Sequence, residues 1–148
     1  MIEMKYADYS WEQTAALLAI DSPSGYTKAA AQWVKNAFET LGFNAEITVK
    51  GGVIIDLGGK DANDGLLLEA HADTLGAMVA TIKGNGRLKL TALGGMNPNN
   101  AEAENIRVYT RDGKVYEGTC QLCNICLNLL SKPHLSAPSS CLHWWKSL

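Results

Sequence analysis

The sequence lacks the features that mark several broad classes of protein. Its apolar runs are far shorter than the ~20 residues of a membrane-spanning helix, and its first residues contain no apolar core of a secretory signal. With a net charge of −2 at pH 7, it has neither a basic stripe for nucleic acid nor a long acidic run. We therefore expect a globular, cytoplasmic chain of one ordinary domain's length, with no nucleic-acid or membrane partner.

Cysteine is absent from the first 119 residues, which excludes a disulfide framework there. The four cysteines all follow, as Cys120, Cys123, Cys126 and Cys141. The first three have the spacing C-x2-C-x2-C, and Cys141 or His143 could add a fourth ligand for zinc or an iron–sulfur cluster. Free thiols are the alternative, because apolar residues crowd this segment and no glycine turn shapes it.

Glycine, aspartate and glutamate are absent from residues 119–148, although they are frequent before them. Pro133 and Pro138 disfavour regular structure in the same stretch. So abrupt a change predicts an unrelated, unstructured or disordered tail. It arises either from a shifted reading frame or mis-assigned gene end, or from a genuine extension.

Two helices are predicted near the beginning of the chain. Ser10, followed three residues later by Gln13, has the pattern of a capping box and predicts a helix start. Thr27 caps a second predicted helix, along which apolar residues recur at three- and four-residue steps. Gly42 is expected to end it, because glycine is common just past a helix.

The strand signals fall in two groups. Residues 43–49 alternate in polarity and are joined by a glycine turn to a second predicted strand at 53–57, so they predict a hairpin. Beyond Gly76 no helical period is visible, and glycine-containing turns at 83–86 and 111–114 predict two further hairpins. These two hairpins indicate a separate small β-domain.

The most informative stretch is the apolar run 66–68 with the polar residues after it. A short apolar run between turn signals predicts a buried strand, here ending at His71, and Asp73 follows two residues later. Side chains two apart in extended backbone share a face, and open α/β sheets bind ligands where their strands end. When a carboxylate accepts a hydrogen bond from one imidazole nitrogen, it fixes the tautomer of the ring and leaves the other nitrogen able to bind a metal ion. The alternatives are that Asp73 is itself a ligand or base, or that both are ordinary loop residues.

Three motifs together resemble the glutamyl-aminopeptidase/endoglucanase-M-like family of dinuclear metallo-aminopeptidases, the tetrahedral-shell peptidases. They are Ala-His-Ala-Asp-Thr-Leu-Gly-Ala-Met-Val at 70–79, Leu-Gly-Gly-Met at 93–96 and Pro-Ser-Gly-Tyr at 23–26. The resemblance runs from about Trp11 to about Gln121. By this resemblance His71 matches a metal ligand, and Asp73 matches the catalytic-site aspartate that orients the histidine and tunes its basicity.

The resemblance implies an α/β fold. Residues 1–76 match the N-terminal part of a zinc-peptidase-like catalytic domain, a sheet flanked by helices. Residues 77–118 match the start of an inserted β-domain that contributes to oligomer assembly, and residues 119–148 match nothing in the family. It also implies two divalent cations, zinc or cobalt, which activate a water molecule for the removal of N-terminal residues from peptides. It further implies that the protein forms a homo-oligomer.

The resemblance places the other metal ligands and the general base in chain beyond the inserted domain. We therefore expect this chain to be truncated and inactive alone, and poorly soluble because its sheet is left open. The alternatives are a small cysteine-rich metal-binding protein and an oligomeric interaction protein without catalysis.

Overall fold

The computed structural model of the chain describes residues 6–61, 63–121, 126–128 and 143–146, with side chains up to Cys120. The chain divides into two compact units, the first ending at Asp73 and the second beginning at Thr74. The expected boundary was between residues 76 and 77. Helices and strands are both present, as the predicted α/β class requires.

The first helix, α1, spans Ala7–Leu18. The predicted start at Ser10 is wrong, because Tyr6 is the N-cap and Ser10 lies inside the helix. Asp8 in the first turn places negative charge at the positive end of the helix dipole, which favours the earlier start. No side chain of α1 is buried, and Trp11 in particular is exposed.

The second helix, α2, spans Lys28–Thr40 and has Thr27 at its N-cap, as predicted, although the Thr27 side chain makes no capping hydrogen bond. Its C-terminus is a Schellman motif. The N–H of Phe43 donates to the carbonyl of Phe38 at 3.1 Å, and Gly42 has a φ of +89°. The rings of Phe38 and Phe43 meet edge to face, with centroids 6.3 Å apart. Gly42 therefore ends the helix as predicted, since only glycine adopts this conformation without strain.

The predicted hairpin of the first unit is confirmed. Strand β1 is Ala45–Ile47 and strand β2 is Val53–Ile55, and they pair antiparallel. The turn between them is closed by the N–H of Thr48, which donates to the carbonyl of Gly52 at 2.8 Å. Lys35 of α2 donates from Nζ to the carbonyl of Ala45 at 2.7 Å and so ties the helix to the hairpin.

The predicted buried strand at residues 66–71 is wrong. None of these residues is in a strand, and the side chains of Leu66, Leu67 and Leu68 are 76–85% exposed. A strand needs neighbouring backbone to pair with, and β1 and β2, the strands described in this unit, pair only with each other. The apolar run therefore has the composition of a buried strand without the partner that would bury it.

The second unit contains one six-stranded antiparallel sheet in the order β4-β3-β8-β5-β6-β7. The strands are β3 (Gly76–Ile82), β4 (Leu88–Leu93), β5 (Asn105–Tyr109), β6 (Val115–Gln121), β7 (Cys126–Asn128) and β8 (His143–Lys146). The hairpins predicted at 83–86 and 111–114 are confirmed as β3–β4 and β5–β6.

Three strands reach into residues 119–148, which the sequence predicts to be unstructured. Strand β6 continues to Gln121, β7 pairs with β6, and β8 lies between β3 and β5. At the level of the backbone, Trp144 is opposite both Ala77 and Val108. In these strands, pairing on both sides of β8 offsets the weak local strand propensity of the segment. The rest of the predicted tail lies outside the described residues.

The core of the second unit lies on one side of this sheet. Its buried members are Ala77, Val79, Leu88, Ala101, Ile106, Val108 and Cys120. Alternate residues of β5, Ile106 and Val108, both face it, as expected for a strand with one buried face. Across the described residues, no helix is long and apolar enough to span a bilayer.

The valines at 108 and 115 provide a matched pair for testing this core. Val108 is fully buried, whereas Val115 is 47% exposed. Val108→Ala should lower the free energy of unfolding by about 2 kcal/mol, because it removes two buried carbon atoms and leaves a cavity. Val115→Ala should cost much less. Urea denaturation of both variants measures the difference, and equal losses would contradict the described core.

Exposure of the 66–68 run predicts self-association through these leucines. Leu67→Lys should reduce the aggregated fraction seen by light scattering and leave the melting temperature unchanged, because the side chain touches little in the folded unit. Val49→Lys is the control, since Val49 is an exposed apolar residue outside the run. If both variants reduce aggregation equally, the leucine run is not its source.

Candidate functional site

A tight turn at residues 23–26 begins the candidate site. The N–H of Tyr26 donates to the carbonyl of Pro23 at 2.8 Å, and Gly25 has a φ of +91°. A turn with positive φ at its third residue favours glycine there. Any other L-residue at this position would be strained, even though the space around Gly25 is open. The turn thereby fixes the backbone of Ser24, the residue that precedes Gly25.

Two serines connect this turn to the loop that carries the predicted site residues. The hydroxyl of Ser24 donates to Oδ2 of Asp73 at 2.6 Å, and the hydroxyl of Ser22, which is buried, donates to the carbonyl of Ala72 at 2.8 Å. We call these four residues the serine clamp. It joins segments 49 and 50 residues apart in sequence. Closing a loop of this length costs chain entropy, which each hydrogen bond offsets in part. Together the two bonds fix the position of residues 72 and 73 relative to the turn.

The predicted pair of His71 and Asp73 is brought together. Nδ1 of His71 lies 3.0 Å from Oδ1 of Asp73 and 3.2 Å from its backbone carbonyl oxygen. Both oxygens can only accept, so Nδ1 must carry the proton of the neutral ring. The lone pair is then on Nε2, and the His71 side chain is 86% exposed. The structure therefore presents one imidazole nitrogen that is free to bind a cation.

The charge of Asp73 supports this arrangement. The hydrogen bond from Ser24 is the largest cause that holds the pKa of Asp73 below its usual value of 3.8, and the His71 hydrogen bond and charge act in the same direction. Partial desolvation opposes them. The carboxylate is thus ionised at neutral pH, and it can accept from Nδ1 and hold the imidazole in one orientation.

The cysteine motif is placed differently. Cys120 is 2% exposed within the core of the second unit, and burial, with the charge of Glu102, raises the pKa of its thiol. Metals bind the thiolate, so a raised pKa disfavours Cys120 as a ligand. For Cys126 only the backbone is described, in β7, and Cys123 and Cys141 lie outside the described residues.

The arrangement fits one metal ligand with its supporting carboxylate, and no more. Over 6–61 and 63–120, no three His, Cys, Asp or Glu side chains are grouped so that they could hold a metal ion. A dinuclear centre needs several such ligands. The remaining ligands would have to come from residues other than those described.

Sequence reasoning missed the two serines of the clamp. The only signal was the Pro-Ser-Gly-Tyr turn at 23–26, which indicated a loop but no role for Ser24. Its partner Asp73 is 49 residues away, and no local pattern predicts a contact over such a distance.

Comparison with known sequences identifies the family. The sequence model of the M42 glutamyl aminopeptidases matches residues 51–136, more than half of the chain. The chain belongs to this family. The predicted resemblance is thereby confirmed, and the match extends past Gln121, where the resemblance was expected to end.

Two curated relatives support the assignment. YhfE of Bacillus subtilis (strain 168), named as an aminopeptidase, is 39% identical over 103 residues, and the glutamyl aminopeptidase of Lactococcus lactis subsp. cremoris (strain MG1363) is 30% identical over 105 residues. Each alignment covers 70% of this chain but only 30% of the relative. The chain thus spans less than a third of the length of these relatives.

Solved structures show the same fold. PhTET1-12s, a dodecamer in the asymmetric unit, has a TM-score of 0.71 at 17% identity, covering 90% of this chain and 44% of that one. The aminopeptidase APDkam598 of Desulfurococcus kamchatkensis has a TM-score of 0.70 at 22% identity, covering 96% and 38% respectively. The predicted peptidase-like α/β fold is therefore confirmed.

The lowered pKa of Asp73 gives a test by titration. Because the folded-state pKa lies below 3.8, the pair's stabilising contribution is present above that pH and is lost as the pH falls through the folded-state value. Carbonyl ¹³C NMR should show Asp73 titrating below 3.8, and Ser24→Ala should move the midpoint upwards. Titration of wild-type Asp73 at or above the usual value would contradict the described contacts.

Proposed function

We propose that this chain supplies the first metal-ligand histidine of a dinuclear metallo-aminopeptidase site. The observation that carries the proposal is the 3.0 Å contact between Nδ1 of His71 and the carboxylate of Asp73, which leaves Nε2 exposed. Metal-binding histidines are commonly oriented in this way by a carboxylate. Membership of an aminopeptidase family supports hydrolysis at peptide N-termini as the reaction.

Two divalent cations, zinc or cobalt, would supply a water of lowered pKa and polarise the scissile carbonyl. The tasks of this chain's own residues are narrower. His71 offers its Nε2 lone pair, and Asp73 holds the proton on Nδ1 and keeps the ring in one orientation. Because Asp73 is ionised at neutral pH, its charge also makes Nε2 of His71 a better electron-pair donor to a metal ion. The substrates are peptides with a free N-terminus.

We infer that the 148-residue chain alone has no turnover. It offers a single ligand among the described residues, and it spans 30% of the length of its curated relatives. The acidic side chains of the second unit are not recruited, since they belong to its sheet and turns. They are Glu102, Glu104, Asp112 and Glu117, of which Asp112 is already paired with Lys114 at 2.9 Å.

The second unit is proposed to serve assembly. Two observations support this role: the unit is an antiparallel sheet, as an inserted β-domain would be, and the structural neighbour PhTET1-12s is described as a dodecamer. We propose a homo-oligomer on this basis. The cytoplasmic location stays a prediction. The alternative of a cysteine-based metal site is disfavoured by the burial of Cys120.

The proposal is tested with a chimera. The region of the L. lactis glutamyl aminopeptidase that aligns with this chain is replaced by the corresponding residues of this chain. The purified 148-residue chain should not release leucine or glutamate from chromogenic substrates with zinc or cobalt, whereas the chimera should. His71→Ala should abolish its activity, and Asp73→Asn should lower activity or metal affinity about 10–100-fold.

Thr40→Ala is the control in the same chimera, since it removes an exposed hydroxyl hydrogen bond at the end of α2 and should leave activity unchanged. Robust turnover by the isolated chain would overturn the inferred inactivity. Full activity of the His71→Ala chimera, with its metal content intact, would overturn the assignment of His71 as a ligand.

A further inference from the structure

We propose that Ser24 is a positioning residue for His71, acting through Asp73. The proposal rests on the proposed function in one respect, namely that Nε2 of His71 is the nitrogen that binds the metal. It assigns to Ser24 the task of fixing the carboxylate that fixes the imidazole. One turn and two contacts carry the proposal. The turn at residues 23–26 holds Ser24, the Ser24 hydroxyl donates to the carboxylate of Asp73, and that carboxylate contacts the His71 ring.

The first step is the division of the Asp73 carboxylate between two partners. Oδ1 lies 3.0 Å from Nδ1 of His71, and Oδ2 accepts from the Ser24 hydroxyl at 2.6 Å. A carboxylate on a partly exposed loop is otherwise free to rotate about its side-chain bonds. Once Oδ2 is held, Oδ1 has a defined direction, and so has the hydrogen bond to His71. The direction of Nε2 follows, because the imidazole is planar and rigid.

The second step is the rigidity of the donor. Ser24 lies between Pro23, which is fully buried, and Gly25, whose φ of +91° sets the turn. The hydrogen bond from Tyr26 to Pro23 closes this turn at 2.8 Å. A hydroxyl on such a turn can hold its acceptor in place, whereas one on an unconstrained loop would move with it.

The third step separates Ser24 from Ser22. Ser22 donates to the backbone carbonyl of Ala72, which anchors the loop but leaves the carboxylate untouched. Ser24 instead donates to the side chain that contacts His71. The two serines belong to the same clamp and bridge nearly the same sequence distance. Ser22→Ala is therefore a matched control, since it loosens the loop without removing a carboxylate contact.

The tautomer of His71 is the readout. Carboxylate contact at Nδ1 favours the Nδ1–H tautomer, whereas a neutral imidazole without such a contact prefers Nε2–H. The full chain, with ¹⁵N-labelled histidine, is studied by two-bond ¹H–¹⁵N correlation at a pH where the imidazole is neutral. His71→Gln identifies the His71 signals among those of the three histidines. Backbone amide spectra of each variant establish that the fold is retained.

We expect mainly the Nδ1–H tautomer in the wild type, in Ser24→Thr and in Ser22→Ala, and a shift towards Nε2–H in Ser24→Ala and Asp73→Ala. Restoration by threonine shows that the hydroxyl is responsible, and not the volume of the side chain.

Three results would overturn the proposal. If Ser24→Ala retains the wild-type tautomer while Asp73→Ala does not, Ser24 has no positioning role and the proposed function stands. If Ser22→Ala and Ser24→Ala shift the tautomer equally, the clamp is a general anchor of the loop. If Asp73→Ala also has no effect, the backbone carbonyl of residue 73 is enough to hold the proton on Nδ1, so neither Ser24 nor the Asp73 carboxylate positions the ring and the proposed function loses the carboxylate contact that supports it.

Discussion

The hydrogen bond between His71 and Asp73 is the interaction on which the candidate site depends. An imidazole 86% exposed to solvent has no packing to orient it, so its direction comes from the carboxylate at 3.0 Å. That carboxylate is in turn held by Ser24, from a turn 49 residues earlier in the chain. The site therefore needs both segments of the first unit to be folded, although the two candidate site residues are only two positions apart. The geometry of a short sequence motif therefore depends on a long-range contact.

The leucine run beside this pair also depends on more distant parts of a fold, in this case for its stability. Leu66, Leu67 and Leu68 are exposed, and each would contribute about 1.5–3 kcal/mol if fully buried. A neighbouring strand that paired with this segment, together with a layer that covered its leucine side chains, would gain most of that free energy. It would also bring other side chains next to His71, which lies three residues after Leu68. Among the described residues, the exposed leucine run and the candidate ligand His71 thus lie on one segment that has no strand partner.

Local signals in the sequence predicted local structure well. Gly42 after α2 and the glycine turns of the three hairpins are at the expected places, because a turn's conformation depends on a few adjacent residues. Long-range structure was predicted less well. The strand at 66–71 needed a partner that the described part of the unit does not provide, whereas β8 forms in an unpromising segment because it has partners on both sides. The motif and the family resemblance singled out residues 71 and 73 as candidates, but not Ser24, because its contact with Asp73 exists only across the folded loop.

The two candidate metal motifs differ in a way that composition does not reveal. Cys120 has the residue type that zinc prefers, at a suggestive spacing, yet its side chain is buried in a sheet core, where desolvation raises the pKa of the thiol. His71 belongs to a far shorter motif, but its free nitrogen faces solvent and its other nitrogen is held by an ionised carboxylate. A ligand must be both deprotonated and accessible to bind a cation. Burial removes both properties from Cys120, whereas the His71 side chain is exposed and its Nδ1 contact with Asp73 leaves the Nε2 lone pair of the neutral ring available.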